Sequence, residues 1–377
     1  MREKISHGHR WTFFLLAIIP LLLDGAIIPA KVPQGKGLQV ALSKPLVVKW
    51  TYPTDFTTNL RPATDVDRIY LPLTSGLLVS LNASDGRLTW KTDLGGELSS
   101  SPAADEFGVY IASQTIGDQK TDVHARGALR ALGREGGITL WMRTLPMPIR
   151  GTLISSEANL YGGSSDGRVY AVKKQTGDIV WTLQHSAPFA SHPIIFGSRL
   201  YIGSEDGYLF SLDKTTGKIY WRYRTRGAVR GSVVVSNDLV YFGSADGYIY
   251  AVRQDDGGLR WRRRTGAGVE TVAEGPDGLL VASFDNFAYS LSYSNGDSLW
   301  KRQLAGRVVT EPLIVPDGVL FTPLSSPAGV VLDLKSGKQL NNLPIGEDNE
   351  LTASAVAAGN LLFLTTTHGL LAFAHPN

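Results

Sequence analysis

The chain has 377 residues, 43% hydrophobic and 19% charged, a globular composition that excludes a disordered or fibrous protein. Its formal net charge of +3 is too small to imply a nucleic-acid partner. The absence of cysteine excludes disulfides, thiolate metal sites, cysteine nucleophiles and a lipid-modified cysteine anchor.

Residues 1–30 read as a separate export unit. Arg2, Lys4 and Arg10 precede the apolar run Trp11–Leu23, and small residues follow at Ala26 and Ala30, the pattern of a secretory signal peptide. Asp24 and two prolines argue against a spanning helix, which needs about 20 apolar residues. The alternative is an uncleaved anchor. Residues 31–44 read as a linker, and everything from 45 to 377 as one repeated structure.

The repeat is announced by tryptophan. Trp50, Trp90, Trp141, Trp181, Trp221, Trp261 and Trp300 follow one another at spacings of 40, 51, 40, 40, 40 and 39, and Leu340 continues the series 40 later. Each unit holds four short strands. In the unit ending at Trp221 these are His192–Phe196, Leu200–Ser204, Tyr208–Leu212 and Ile219–Tyr223. Asp206-Gly207 separates the second and third, a dipeptide suited to a two-residue type I′ hairpin with positive φ at both positions. Gly217 supplies the left-handed residue of the next hairpin. Asp166-Gly167 with Gly177, and Asp246-Gly247 with Gly257, repeat this punctuation, so these aspartates read as turn residues and not as metal ligands. Four strands per forty residues is a β-propeller blade. After seven complete units, Leu351–Ala357, Leu361–Thr365 and Leu370–His375 supply three strands, and Leu46–Tyr52 supplies the missing fourth. An all-β, eight-bladed propeller with its last blade closed by the N-terminal strand is expected. The tryptophans are expected between adjacent blades, with each indole N–H bonded locally.

Two features depart from the repeat. Aligning Ser113 with Ser204 and Gly127 with Gly207 assigns the long spacing between Trp90 and Trp141 to one polar insertion, residues 114–126, which carries Asp118, Asp122, His124 and Arg126. Up-and-down topology puts this insertion, the second-to-third hairpins and the blade-to-blade links on one face. Long polar loops on a rigid scaffold are where function concentrates. The second feature is charge. Residues 218–264 hold ten Lys/Arg against four Asp/Glu, with Arg222, Arg224 and Arg226 sharing a side, as do Arg262 and Arg264. Such a sector either protects outer edges from pairing or docks on acidic protein segments or anionic headgroups. Metalloprotease, nucleophile-elbow, phosphate-loop and dinucleotide motifs are all missing.

The unit Tyr-x-Gly-Ser-x-Asp-Gly-x-x-x-x-Leu-Asp-x-x-x-Gly-x-x-x-Trp, clearest at residues 201–221, resembles the pyrroloquinoline-quinone-type propeller repeat. That resemblance implies either a quinoprotein dehydrogenase, with quinone and calcium on the propeller axis, or a bare scaffold like the outer-membrane assembly factor BamB family. The vicinal cysteines and extra domains of the enzymes are not here. The link Trp141–Ile154, with its prolines and Arg150-Gly151, is similar to a partner-binding link of the BamB family, and that match makes Arg150 a contact residue. The next link, His185–Pro193, lacks the acidic residues expected beside it. The expected protein is therefore an exported, non-enzymatic and monomeric propeller without cofactor or metal. Its protein partners in the periplasm or envelope would be met through Arg150, Asp122, His124, Arg126, Arg226 and Arg230, with membrane-surface contact through the arginine-rich blades. The alternatives are a quinone-dependent dehydrogenase and an envelope-anchored sensor.

Overall fold

The computed structural model describes residues 40–115, 126–324 and 326–376; the signal sequence expected over residues 1–30 lies outside them. All regular structure among the described residues is β-strand. It forms eight antiparallel sheets, one per blade, whose strands in blades 1 to 7 are hydrogen-bonded in chain order from the axis outward. Blade 1 spans residues 63–93, blade 2 97–145, blade 3 149–184, blade 4 194–224, blade 5 233–264, blade 6 269–303 and blade 7 313–344. Blade 8 combines Val356–Ala358, Leu361–Thr366 and Gly369–Ala374 with Val47–Pro53, which pairs antiparallel with Gly369–Ala374. The eight-bladed ring closed by both ends of the chain is thus the observed fold.

Burial follows position in the blade. Second and third strands, such as Arg199–Gly203 and Tyr208–Asp213, are buried on both faces because neighbouring blades cover them. Fourth strands such as Ile219–Arg224 are mostly exposed, apart from the residue on the tryptophan ladder. The hydrophobic clusters lie between blades. One, for example, joins Tyr201 and Trp221 of blade 4 to Val240, Phe242 and Tyr250 of blade 5.

The ladder is what couples one blade to the next. Every indole N–H donates across the gap rather than locally, to a carbonyl in the following blade's last hairpin: Trp141 to Lys174 at 2.6 Å, Trp181 to Lys214 at 3.0 Å, Trp221 to Gln254 at 2.9 Å. Trp50, Trp90, Trp261 and Trp300 do the same to Ala83, Arg134, Tyr293 and Leu334. The ring lies flat over that hairpin's glycine. A Cβ added to Gly217, at φ +72°, would sit 2.6 Å from Cε3 of Trp181. The glycine therefore serves twice, for a left-handed backbone and for the space it leaves.

The register corrects two expectations. Trp300 pairs with Ser290, and in blade 7 the equivalent pair is Asn341 with Val331, so Asn341 and not Leu340 occupies the ladder position. Its amide donates to the carbonyls of Leu42 (3.2 Å) and Lys44 (2.9 Å), replacing the indole N–H where blade 8 has no third-to-fourth hairpin. Val40 and Leu42, from the segment before the first strand, are buried in the cluster between blades 7 and 8. Ser43 is held by Asp317 (2.5 Å). The Asp-Gly turns also differ. Only the glycines Gly167, Gly207 and Gly247 have positive φ. The bonds Gly207 N to Ser204 O and Ser204 N to Tyr208 O define a three-residue loop, a type I turn followed by a glycine bulge. Positive φ at both central residues occurs instead at Asn237-Asp238.

Candidate docking face

Neighbouring first strands touch one another around the axis, and the links between blades enter these strands on the face that also carries the second-to-third hairpins. Apolar link residues plug each entry: Phe189, Val229, Val269 and Val308 are fully buried. Buried serines at the ends of second strands fasten the links. Ser164 Oγ donates to Pro148 O (3.1 Å) and Ser244 Oγ to Gly227 O (3.1 Å). This rigid platform carries the charged side chains of the face.

Arg150 opens the first strand of blade 3 (Ile149–Ser155) and is half-buried. Its Nη2 donates to Oε1 of Gln114 at 2.7 Å, and Gln114 Nε2 in turn donates to Glu97 Oε2 at 2.8 Å. Gln114 ends the second strand of blade 2 (Val109–Gln114), and the stem continues through Thr115 N–H to Arg126 O and Arg126 N–H to Thr115 Oγ1, both at 2.9 Å. Arg150 thus stands at the root of the 114–126 insertion. Arg126 is exposed on that stem, whereas Asp118, Asp122 and His124 lie outside the described residues.

Arg230, on the link between blades 4 and 5, is ion-paired with Glu205 (2.7 Å) and Glu270 (3.4 Å). It stands on the same face as Arg150, but its charge is already matched. Arg226 is exposed, and its backbone N–H is capped by Asp246 Oδ2 at 2.9 Å. The turn aspartates hold further groups. Asp206 accepts from Ser204 Oγ (2.6 Å) and meets His185 Nε2 (3.0 Å).

The sequence reading missed a cluster at the centre of this face. Glu311, entering blade 7, meets His192 of blade 4 at 2.9 Å and Arg61 of blade 1 at 2.5 Å. Blades 1, 4 and 7 are not neighbours, so these side chains meet only across the axis. Burial opposes ionisation of Glu311, yet the His192 hydrogen bond and the Arg61 charge outweigh it and bring its pKa down to about 2. A signal was present in the sequence: Arg61, His192 and Glu311 each stand two residues before the equivalent first-strand residues Ala63, Ile194 and Leu313, so one repeat position carries both signs.

A family model described as outer membrane protein assembly factor BamB matches residues 39–141, 125–274, 165–306 and 225–375, overlapping registers that together take in all eight blades. The chain belongs to the BamB family. Within the family, this BamB-type propeller is 29% identical over 116 residues to the assembly factor of Shewanella oneidensis, an alignment that covers 29% of this chain and 27% of that protein. The crystal structure of BamB from Moraxella catarrhalis superposes with a TM-score of 0.71 at 16% identity, covering 88% of this chain and 98% of that one. The fold is shared more widely. Quinohemoprotein alcohol dehydrogenase from Comamonas testosteroni gives a TM-score of 0.69 at 10% identity, over 90% of this chain and 78% of that one.

Proposed function

We propose that this BamB-family propeller is an exported, non-catalytic scaffold that docks protein partners of outer-membrane β-barrel assembly on its link face. The observation that carries the proposal is the family match across the whole ring, combined with Arg150 at the root of the insertion. Among the described residues the guanidinium is held by Gln114 and, more loosely, by Ser165 Oγ at 3.3 Å, both neutral, which leaves its charge for an incoming carboxylate. Arg150 and the described stem residues Gln114, Thr115 and Arg126 stand together on a rigid frame, the arrangement by which a propeller presents a partner site. Export would be directed by residues 1–30 and ends in the periplasm, without a lipid-modified cysteine.

The test is affinity capture from an envelope extract with wild type and Arg150→Glu. Wild type is expected to retain β-barrel assembly components and the variant to lose them. Equal recovery by both would remove Arg150 from the interface. The quinoprotein reading rests on likeness of fold alone. A quinone with its calcium ion needs an oxygen-rich cradle on the axis. The link-face mouth of the axis is instead spanned by Arg61, Glu311 and His192, whose polar groups are engaged with one another. Purified protein supplied with the quinone and calcium is expected to show no alcohol- or aldose-dependent dye reduction, and robust turnover would overturn the scaffold reading.

A further inference from the structure

A second surface, on the rim and away from the link face, is built from the outer strands of blades 4, 5 and 6. Ile219–Arg224, Leu259–Arg264 and Ser298–Gln303 together carry eight Lys/Arg and no acid. The outer strands of the other five blades carry three between them, Lys49, Lys91 and Arg143, and Arg143 is ion-paired with Asp178. The charge is therefore a local property of three adjacent blades.

The eight cations are exposed and, among the described residues, almost unneutralised. A carboxylate comes within ion-pair distance only of Arg263, where Asp297 stands 3.7 Å away. Aromatic faces of the third strands hold several of the others. Arg222 lies 5.0 Å from the Tyr208 ring centre, Arg262 5.0 Å from Tyr248, and Lys301 3.7 Å from Phe287. Cation–π contact fixes a charge in place without cancelling it. Between blades 5 and 6 the rim opens into a cleft of about 220 Å³. Ile249, Tyr289 and Leu291 floor it, and Arg263, Arg264 and Lys301 stand on its lip. Toward the opposite end of the same three strands, Tyr220, Leu259 and Leu299 are 45%, 44% and 49% exposed.

From this arrangement we propose that the outer edge of blades 4 to 6 lies on an anionic phospholipid surface, with the blade 5–6 cleft seating a headgroup phosphate. Charge complementarity supplies the attraction, and the exposed apolar residues on the same strands distinguish a bilayer from an acidic peptide. An acidic peptide would leave Tyr220, Leu259 and Leu299 in water, whereas the interface of a membrane takes up aromatic and aliphatic side chains beside arginine. The cleft's apolar floor beneath a cationic lip matches the junction of a phosphate with its glycerol and first acyl carbons. Each basic residue close to an anionic leaflet strengthens binding roughly fivefold, and the gain is screened by salt.

The test is co-sedimentation of the full chain with vesicles of one quarter phosphatidylglycerol in phosphatidylcholine, against pure phosphatidylcholine, at low and high salt. Wild type is expected to bind the anionic vesicles only, and more weakly at high salt. The triple variant Arg262→Ser/Arg264→Ser/Lys301→Ser should lose roughly a hundredfold, three fivefold steps. Lys49→Ser/Lys91→Ser/Lys173→Ser, which removes the same charge from exposed positions on other blades, should lose less than about threefold. Equal losses in the two triples would reduce the effect to net charge and overturn the assignment, as would failure of wild type to bind. Inorganic phosphate and poly-glutamate serve as competitors. Displacement from the vesicles by submillimolar phosphate would make the cleft a free-phosphate site. Preferential, triple-sensitive binding of poly-glutamate would make the edge an acidic-protein site. Either result overturns the membrane assignment. Circular dichroism checks that the triples fold; if the outer-edge triple does not, Arg262→Gln and Lys301→Gln singly should each cost about fivefold.

Discussion

Replacing Gly217 by alanine tests whether the tryptophan–glycine contact couples the blades, because blade 4 contains its own control. Gly197, in the first hairpin of that blade, has φ +59° and nothing within 4 Å of an added Cβ. Gly217, in the last hairpin, has φ +72°, and the added Cβ would fall 2.6 Å from Cε3 and 2.7 Å from Cδ2 of Trp181. Alanine at Gly197 meets backbone strain alone, about 1–2 kcal/mol. At Gly217 the same strain is joined by overpacking that forces the indole off its seat, a further 1–3 kcal/mol. The bond from Trp181 to Lys214 O goes with it, about 1 kcal/mol net. Gly217→Ala should therefore be the more destabilising by about 2–4 kcal/mol. Equilibrium denaturation in guanidinium followed by far-UV circular dichroism measures the difference, at constant m-value. In a Trp181→Leu background the excess at Gly217 should shrink toward the Gly197 value, as in any cycle that removes the interacting partner. Equal losses at the two glycines, or an excess that survives Trp181→Leu, would refute the reasoning.

Acid stability should report the group that crosses the axis. Glu311 is held near pKa 2 against an ordinary 4.5 by Arg61 and His192, so its contribution is complete above pH 4.5 and disappears as the pH falls toward 2. About 3 kcal/mol is the upper limit of that loss, and Glu311→Gln should flatten the fall in urea stability between pH 5 and pH 3. An unchanged slope would show that Glu311 is not ionised against those partners. Asn341→Ala removes both bonds to residues 42 and 44, at about 1–2 kcal/mol in all. It should speed proteolytic clipping within 40–46 without altering the rest of the digestion pattern. An unchanged clipping rate would mean that the burial of Val40 and Leu42 is enough to hold the segment.

The blades could be read from the sequence because local rules decide them. Glycine at a turn, alternating apolar residues and one large ring per unit recur at a fixed period, and closure of blade 8 follows from counting strands. Where a residue's role depends on a neighbouring blade, the reading fell short. The indole N–H has no preferred direction in the sequence, and all seven cross to the next blade. Asn341 was passed over for Leu340 because a search for a hydrophobic ladder ignores a donor; what the position retains is the hydrogen bond, not the ring. The hairpins at Asp166, Asp206 and Asp246 carry the right dipeptide, but a preceding serine and one more loop residue convert them to a bulged turn. Glu311 and Arg61 are 250 residues apart and meet by ring geometry that no local pattern encodes. The same holds for Gln114 and Glu97, which another blade supplies beside Arg150 and which no local pattern places there.

Blade 8 also dictates an order of events during synthesis. Val47 pairs with Ala374, so the first of the described strands, Val47–Pro53, must wait for the last of them, Gly369–Ala374. Until residues 369–374 arrive, its partner edge does not exist, and the apolar segment at Val40 and Leu42 has no cavity to enter. A chain growing or crossing a membrane from its N-terminal end therefore travels as an open arc, with an unpaired strand at one end and a bare blade interface at the other. Closure is a single late step that joins the two. The completed ring is therefore a record that residues 369–374 have been made and have reached the strand Val47–Pro53.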